Sequence, residues 1–362
     1  MNYRLSTLFA EKSYAADATE PIDITIADPI SALIIEHDVL SGVKGSMTAH
    51  PLACVTKIEI VDGSDVLFSL NGRQADAIDW YQEGHVRSPW HIALTGNYHQ
   101  SFIGLNFGRK MWDPELAFVP GNFKNPQLKI TLDVDAGGLN PSTNKLKVWA
   151  AVFDQKAVTP IGFLMHKEVK DYSLSSAGHE YTDLPTDYPY RKLFIRQQSE
   201  GYEPCQVLAN FKLSEDFDKK IVIDHATEDV LRTIASRLPP YDEHWYFCMF
   251  TANRYLMCTP TVRTAAFGNG WHAAAGANYL AFYDGDGGRL QTITSTGEEN
   301  AQVLVRGHLP HGVWEIPFGD PDIIEDWYDV TKLGSLRLDV LAGAYAATTP
   351  KAQVFLQQLR KY

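Results

Sequence analysis

The chain has 362 residues, 45% of them hydrophobic and 21% charged, which is enough apolar material for about two domain cores. A formal net charge of -12 without a dense block of lysine or arginine excludes wrapping nucleic acid by phosphate neutralisation, and no sequence-specific nucleic-acid binding is expected. There is no apolar run of membrane-spanning length, and Cys54, Cys205, Cys248 and Cys258 lack the CxxC spacing of a zinc or redox site, so reduced core thiols are expected.

Residues 1–21 carry weak helical spacing in Leu5, Leu8 and Phe9 and then turn polar and alanine-rich, which predicts an N-terminal arm outside the core. Arg4, Glu11 and Lys12 interrupt any apolar core there, so no secretory signal is expected and the chain is expected to stay in a cytoplasm. From Ile22 short strands follow quickly, at 22–26, 32–36, 52–61 and 66–70. The stretch from Lys57 to Gly84 reads as strand, tight turn at Asp62-Gly63, strand and helix. The apolar period changes from two to about 3.6 near Arg73, with Asn71 and Gln74 spaced as a variant capping box. Strands at 92–95 and 101–107, the alternation Leu128, Ile130, Leu132, Val134, and a last strand near 148–153 complete about eight strands.

The same order returns in the second half. Phe211 and Leu213 make a strand, Ser214 to Lys220 a charged turn, and Ile221 to Ile223 a second strand. A helix follows with Val230, Leu231, Ile234, Ala235 and Leu238 on one face and Thr227 placed to accept its first free amides. Ile103, Leu105, Phe107 and Gly108 have counterparts in Trp314, Ile316, Phe318 and Gly319. Leu336, Leu338 and Val340 then echo the long alternating strand, and a last strand lies near 354–359. The predicted fold is all-β: two tandem eight-stranded jelly rolls, each with one short helix. The predicted division is an arm at 1–21, a first jelly roll at 22–155 and a second at 156–362, whose large loop insertion at about 239–312 is expected to project from one end of that barrel.

The search for chemistry returns little. His308 and His311 in HLPH are the nearest approach to a ligand pair, but Pro310 opposes helical spacing and no cysteine or HExxH pattern supports them, so a polar loop is expected. Asp284, Asp286 and Gly287 resemble the start of a calcium loop without its closing glutamate and read better as a hairpin turn. Asp322 and Glu325 are a conceivable glycosidase pair, although a solvated acidic loop explains them with fewer assumptions. The tryptophans, among them Trp80, Trp90, Trp112, Trp245, Trp271, Trp314 and Trp327, scatter among strands and loops as packing residues do. No P-loop, GxSxG or dinucleotide motif is present. No catalytic residue, metal or cofactor is expected, and the chain is read as a non-enzyme. The alternative is a jelly-roll carbohydrate-binding protein or glycan hydrolase.

The two eight-strand patterns, the short linker near Asp154 to Pro160, the long insertion in one barrel, and the segment SFIGLNFGRKMWDPELAFVPGNFKNPQLKITLDV together resemble the double jelly-roll major capsid proteins of adenoviruses and tailless, membrane-containing bacterial viruses. The resemblance implies a homotrimer forming a pseudo-hexagonal capsomer that tiles an icosahedral virion, assembled in the host cytoplasm. It implies neighbouring capsomers, minor capsid or vertex proteins and an internal lipid membrane as partners. It also implies an arm that touches neighbours or membrane, here through Arg4, Leu5, Leu8, Phe9 and Lys12.

Overall fold

The structure, a computed structural model, describes residues 2–42, 47–83, 90–138, 143–154, 158–197, 199, 201–249, 254–272, 277–278, 281–283, 286–293, 299–345 and 351–362. Strands dominate them and fall into two units with identical wiring. In the first unit Tyr3–Tyr14, Asn144–Phe153, Ile30–Leu40 and Tyr98–Asn106 form one sheet in that spatial order, and Ala18–Asp23, Pro126–Leu132, Val55–Asp62 and Asp65–Leu70 form the other. In the second unit Gly162–Ser173, Lys351–Lys361, Tyr190–Gln197 and Val313–Pro317 repeat the first order. His179–Asp183, Leu336–Ala342, Leu208–Glu215 and Lys220–Ala226 repeat the second. Counted along each unit, the strands lie in the order 1-8-3-6 and 2-7-4-5, which is the wiring of a jelly roll.

The alternation that suggested these strands is the alternation that buries them. In Pro126–Leu132, Leu128, Ile130 and Leu132 are buried while the residues between them are half-buried. Inward residues of both units join one continuous apolar core, because the units share a sheet. Asp65–Leu70 of the first pairs in parallel with Gly162–Ser173 of the second, His166 opposite Phe68 and Lys167 opposite Ser69, so eight strands run side by side across the boundary.

The first helix, Gly72–Glu83, follows the fifth strand of its unit, and the second, Thr227–Arg237, follows the same strand in the other. Asn71 and Gln74 cap the first reciprocally: the Gln74 amide donates to Asn71 Oδ1 at 3.0 Å and the Asn71 amide to Gln74 Oε1 at 2.9 Å. Gly104 lets this helix lie close on its barrel, since a Cβ there would stand 2.5 Å from the Asp79 carboxylate, which accepts from the Gly104 amide at 2.6 Å. Trp80, 1% exposed, packs between Tyr81 and Tyr241. Trp80→Ala is expected to cost about 3–5 kcal/mol, read as a lower urea midpoint, because the cavity is walled by both units and cannot collapse.

Three expectations change. Residues 1–21 are not an arm: Tyr3–Tyr14 is the outer strand of the first sheet, paired antiparallel to Asn144–Phe153, and Ala18–Asp23 pairs with Pro126–Leu132. The first jelly roll therefore begins at Tyr3 rather than at residue 22. Thr227 is not a cap, since its Oγ1 donates to the Leu208 carbonyl at 2.6 Å and ties the helix to a strand, while Ala226 holds the cap position. The insertion does not belong to the second barrel alone. Its strands Pro260–His272, Glu299–Pro310 and Tyr241–Met249 form a sheet that ends on Trp90–Ala93 of the first unit, paired in parallel. Val39, Met47 and Cys54 of the first unit pack with Trp245, Phe247 and Val305 of the insertion in a separate apolar cluster.

Candidate functional site

Where the insertion meets the first barrel, several polar groups are buried together. His50 precedes the short turn Pro51–Cys54 and its Nδ1 accepts from the Leu52 amide at 3.1 Å. His91 stands on Trp90–Ala93 and stacks on Trp245, ring centres 4.4 Å apart. Glu243, on Tyr241–Met249, accepts from the Thr259 amide at 2.8 Å and the Thr259 hydroxyl at 2.7 Å. Its Oε1 lies 3.0 Å from His50 Nε2 and 3.1 Å from His91 Nε2. The His311 ring is 4.8 Å from that of His50, with its Nε2 3.1 Å from Asp76 Oδ2, and the His99 ring is 5.7 Å from that of His91.

Burial raises the Glu243 carboxyl, but the imidazoles of His50 and His91 beside it more than reverse this and hold it well below the usual carboxylate range. Burial pushes His50 down to about 4 against the pull of Glu243. Every one of these side chains is buried, so the cluster can hold a charge or an ion out of contact with bulk water.

The second feature is an uncovered flank. Nine residues of the first helix, including Gln74, Ala77, Ile78, Trp80 and Tyr81, are buried, because its outer side faces the second unit: Tyr81 Oη donates to the Val313 carbonyl at 2.7 Å and Gln74 Nε2 to Glu168 at 2.5 Å. In the second helix only Thr227, Leu231 and Ile234 are buried. The strand before it, Lys220–Ala226, is exposed or half-buried throughout, with Ile221 51% exposed. Beside it runs a groove of about 610 Å³ lined by Ile223, Val230, Ile234, Leu238 and Ile316. In the first barrel the corresponding space, among Phe68, Ile78 and Leu105, is closed by His166 of the second barrel.

The residues singled out from sequence are scattered. Arg4 pairs with Asp28 at 3.2 Å and Asp154 at 3.1 Å, and Lys12 with Glu20 at 2.5 Å, so both cations are held within the first barrel. Leu8 and Phe9 lean on the core, and Leu5 is 61% exposed. His311 enters the buried cluster, whereas His308 lies on Glu299–Pro310 opposite Val262. Asp284 lies outside the described residues. Asp286 and Gly287 form the turn between the antiparallel strands Ala281–Tyr283 and Arg289–Ile293. Asp322 and Glu325 are exposed in a loop, where the Asp322 carbonyl accepts from Arg109 at 2.7 Å. All four cysteines are free thiols, and Cys205 alone is not fully buried. His50, His91 and Glu243 escaped the sequence reading because no spacing rule joins residues as much as 193 positions apart.

No family model and no curated protein matches the chain. Among solved structures it is similar to the STIV MCP, from Sulfolobus Turreted Icosahedral Virus, with a TM-score of 0.60 and 10% identity over 99% of this chain and 97% of that one. It is similar to PBCV-1 VP54, with a TM-score of 0.60 and 10% identity over 99% of this chain and 94% of that one. It is also similar to the major capsid protein P2 from Bacteriophage PM2, with a TM-score of 0.53 and 9% identity over 99% of this chain and 98% of that one. With its two identically wired barrels, each with a helix after its fifth strand and the second with a further single-turn helix at Pro204–Val207, this chain has the double jelly-roll fold of those viral capsid proteins.

Proposed function

We propose that the chain is a major capsid protein that assembles as a homotrimer, six barrels to a pseudo-hexagonal capsomer, and that these capsomers tile an icosahedral virion over an internal membrane. Neighbouring capsomers and minor capsid or vertex proteins are its partners. Shared fold supports the structural role, and one observation carries the assembly: the junction made inside the chain between first and second barrel has an unfilled copy on the second barrel's far side.

Strand register names the residue that fills it. Take the Phe-Gly steps at Phe107 and Phe318 as equivalent. In the first barrel Asn106 pairs with Ala32, Ala32 with Ala151, and Ala151 with Leu5. In the second Pro317 pairs with Lys192, Lys192 with Gln357, and Gln357 with His166. Leu5 therefore corresponds to His166, which closes the groove of the first barrel. Leu5 of one copy would close the groove of the next, and three such junctions return to the starting subunit. Gly162–Ser173 also has the burial this predicts: residues 162–166 are buried, where residues 3–8 in the isolated chain alternate exposed and half-buried.

Light scattering of the purified protein, with negative-stain imaging of the same peak, tests the reading. The expected result is three chains per particle and a hexagonal outline. A particle that remains one chain at micromolar concentration overturns it.

A further inference from the structure

The buried cluster at the seam between the insertion and the first barrel is a candidate for more than packing. Glu243 is fully buried, and its ion-pairing partners among the described residues are His50 and His91, with no lysine or arginine. A buried carboxylate with no firm countercharge costs several kcal/mol. His91 is 1% exposed and neither of its ring nitrogens makes a hydrogen bond, although Nε2 points at Glu243. A fold does not leave such a group unpartnered without cost. One nitrogen or oxygen from each of the three residues falls within 4.8 Å of the others. The measured edges of 3.0 Å and 3.1 Å about Glu243 Oε1, with Thr259 Oγ1 3.2 Å from His50 Nε2, approach the edge of about 3.3 Å that tetrahedral zinc imposes on nitrogen and oxygen ligands.

We propose that His50, His91 and Glu243 form a site for one divalent transition-metal ion of the zinc class, which staples the second barrel's insertion to the first barrel. Two imidazoles and one carboxylate suit zinc or cobalt and not calcium or magnesium, which take oxygen ligands. The ion supplies the countercharge that Glu243 lacks and the partner that His91 Nε2 lacks. Thr259 Oγ1 or a water closes the fourth position. Binding also has a stated cost. The Leu52 amide donates to His50 Nδ1, so the ring carries its proton on Nε2; loading moves that proton to Nδ1 and opens the Leu52 contact. Two hydrogen bonds, Leu52 N–H to His50 Nδ1 and His50 Nε2–H to Glu243, are exchanged for metal bonds to His50 and Glu243, and the Nδ1–H and Leu52 N–H are left to find other acceptors.

The test uses untagged full-length protein, stripped with chelator, dialysed and titrated with cobalt(II). One equivalent should bind with the intense visible absorption of tetrahedral cobalt, and zinc should displace it and raise the melting temperature. His91→Gln and Glu243→Gln should each abolish the absorption while keeping the wild-type circular dichroism and particle mass. Absence of the bands in the wild type, or their survival in both variants, overturns the proposal. If a variant does not fold, metal content of the wild-type protein by mass spectrometry, and the loss of its melting-temperature gain on adding chelator, decide instead. The particle mass is read separately, so failure here leaves the trimer untouched.

Discussion

Leu5→Glu is expected to leave a folded chain that no longer assembles, with a particle mass one third that of the wild type. In the isolated chain Leu5 is 61% exposed, so the substitution changes the monomer by no more than about 0.5 kcal/mol. In the assembly the same side chain would enter a groove whose apolar walls are Ile223, Val230, Ile234 and Leu238; Lys192 and Arg237 also line it, but Lys192 is already paired with Glu315, and a carboxylate cannot make the apolar contacts of a leucine. Losing the burial of a leucine costs about 1.5–3 kcal/mol at each junction, and each 1.4 kcal/mol is a tenfold loss in association. The loss recurs at all three junctions. Size-exclusion chromatography with light scattering reads it directly. Tyr181→Glu is the control, because Tyr181 is 54% exposed on His179–Asp183, the edge of its sheet opposite Lys220–Ala226, and does not line this groove, so its substitution should leave the trimer intact. A Leu5→Glu protein that still elutes as three chains would sink the register argument. If both variants become monomers, the surface is generally adhesive and Leu5 is not the key.

The same strand shows where sequence reasoning ends. Leu5, Leu8 and Phe9 resemble helical spacing, yet they lie on Tyr3–Tyr14, whose pairing with Asn144–Phe153 shifts register between Thr7 and Phe9 and again between Phe9 and Lys12. Each irregularity inserts a residue and breaks the period of two, so a strand with bulges takes on a false period near 3.6. Strands that carry no inserted residue themselves, such as Pro126–Leu132, were legible from alternation alone. The Asn71 and Gln74 cap was legible because its chemistry is local, and Thr227 was misread because its hydroxyl prefers the carbonyl of a strand 19 residues earlier. The insertion was visible as extra length, but its pairing with Trp90–Ala93 joins distant segments that no window spans. The metal candidate fails to appear in sequence for the same reason.

Acidification from pH 7 to 5 is expected to weaken the chain by about 3 kcal/mol through His166, His37 and Asp38. Burial pushes His166 down to about 3, helped by Arg191 and Lys192 two strands away in the same sheet, and pushes His37 down to about 4, with His50 adding to the effect. Both values lie below the unfolded value of about 6.5. Between about 6.5 and the folded values the unfolded chain therefore takes up protons that the folded chain refuses, and stability that is complete above pH 6.5 falls as the pH drops. At pH 5 each histidine accounts for about 2 kcal/mol of loss. Asp38 works the other way: burial and Glu36 raise it to about 6, so the folded chain binds its proton first and recovers about 1 kcal/mol on acidification. The surroundings of His166 explain why it resists charge. Gln357 Nε2 donates to His166 Nε2 at 2.7 Å while Gln357 Oε1 accepts from Arg191 at 2.9 Å, so the amide cannot turn, and a proton on Nε2 would face another N–H. The Phe68 ring, 5.2 Å away on the first barrel, offers no anion. Urea unfolding at pH 7 and pH 5 measures the change, and His166→Gln should remove about 2 kcal/mol of it. An unchanged midpoint in the wild type would falsify the neutral, buried state of these rings. Because His166 sits where the two barrels pair, the stability that its neutral ring contributes above pH 6.5 belongs to the junction that makes two jelly rolls into one subunit.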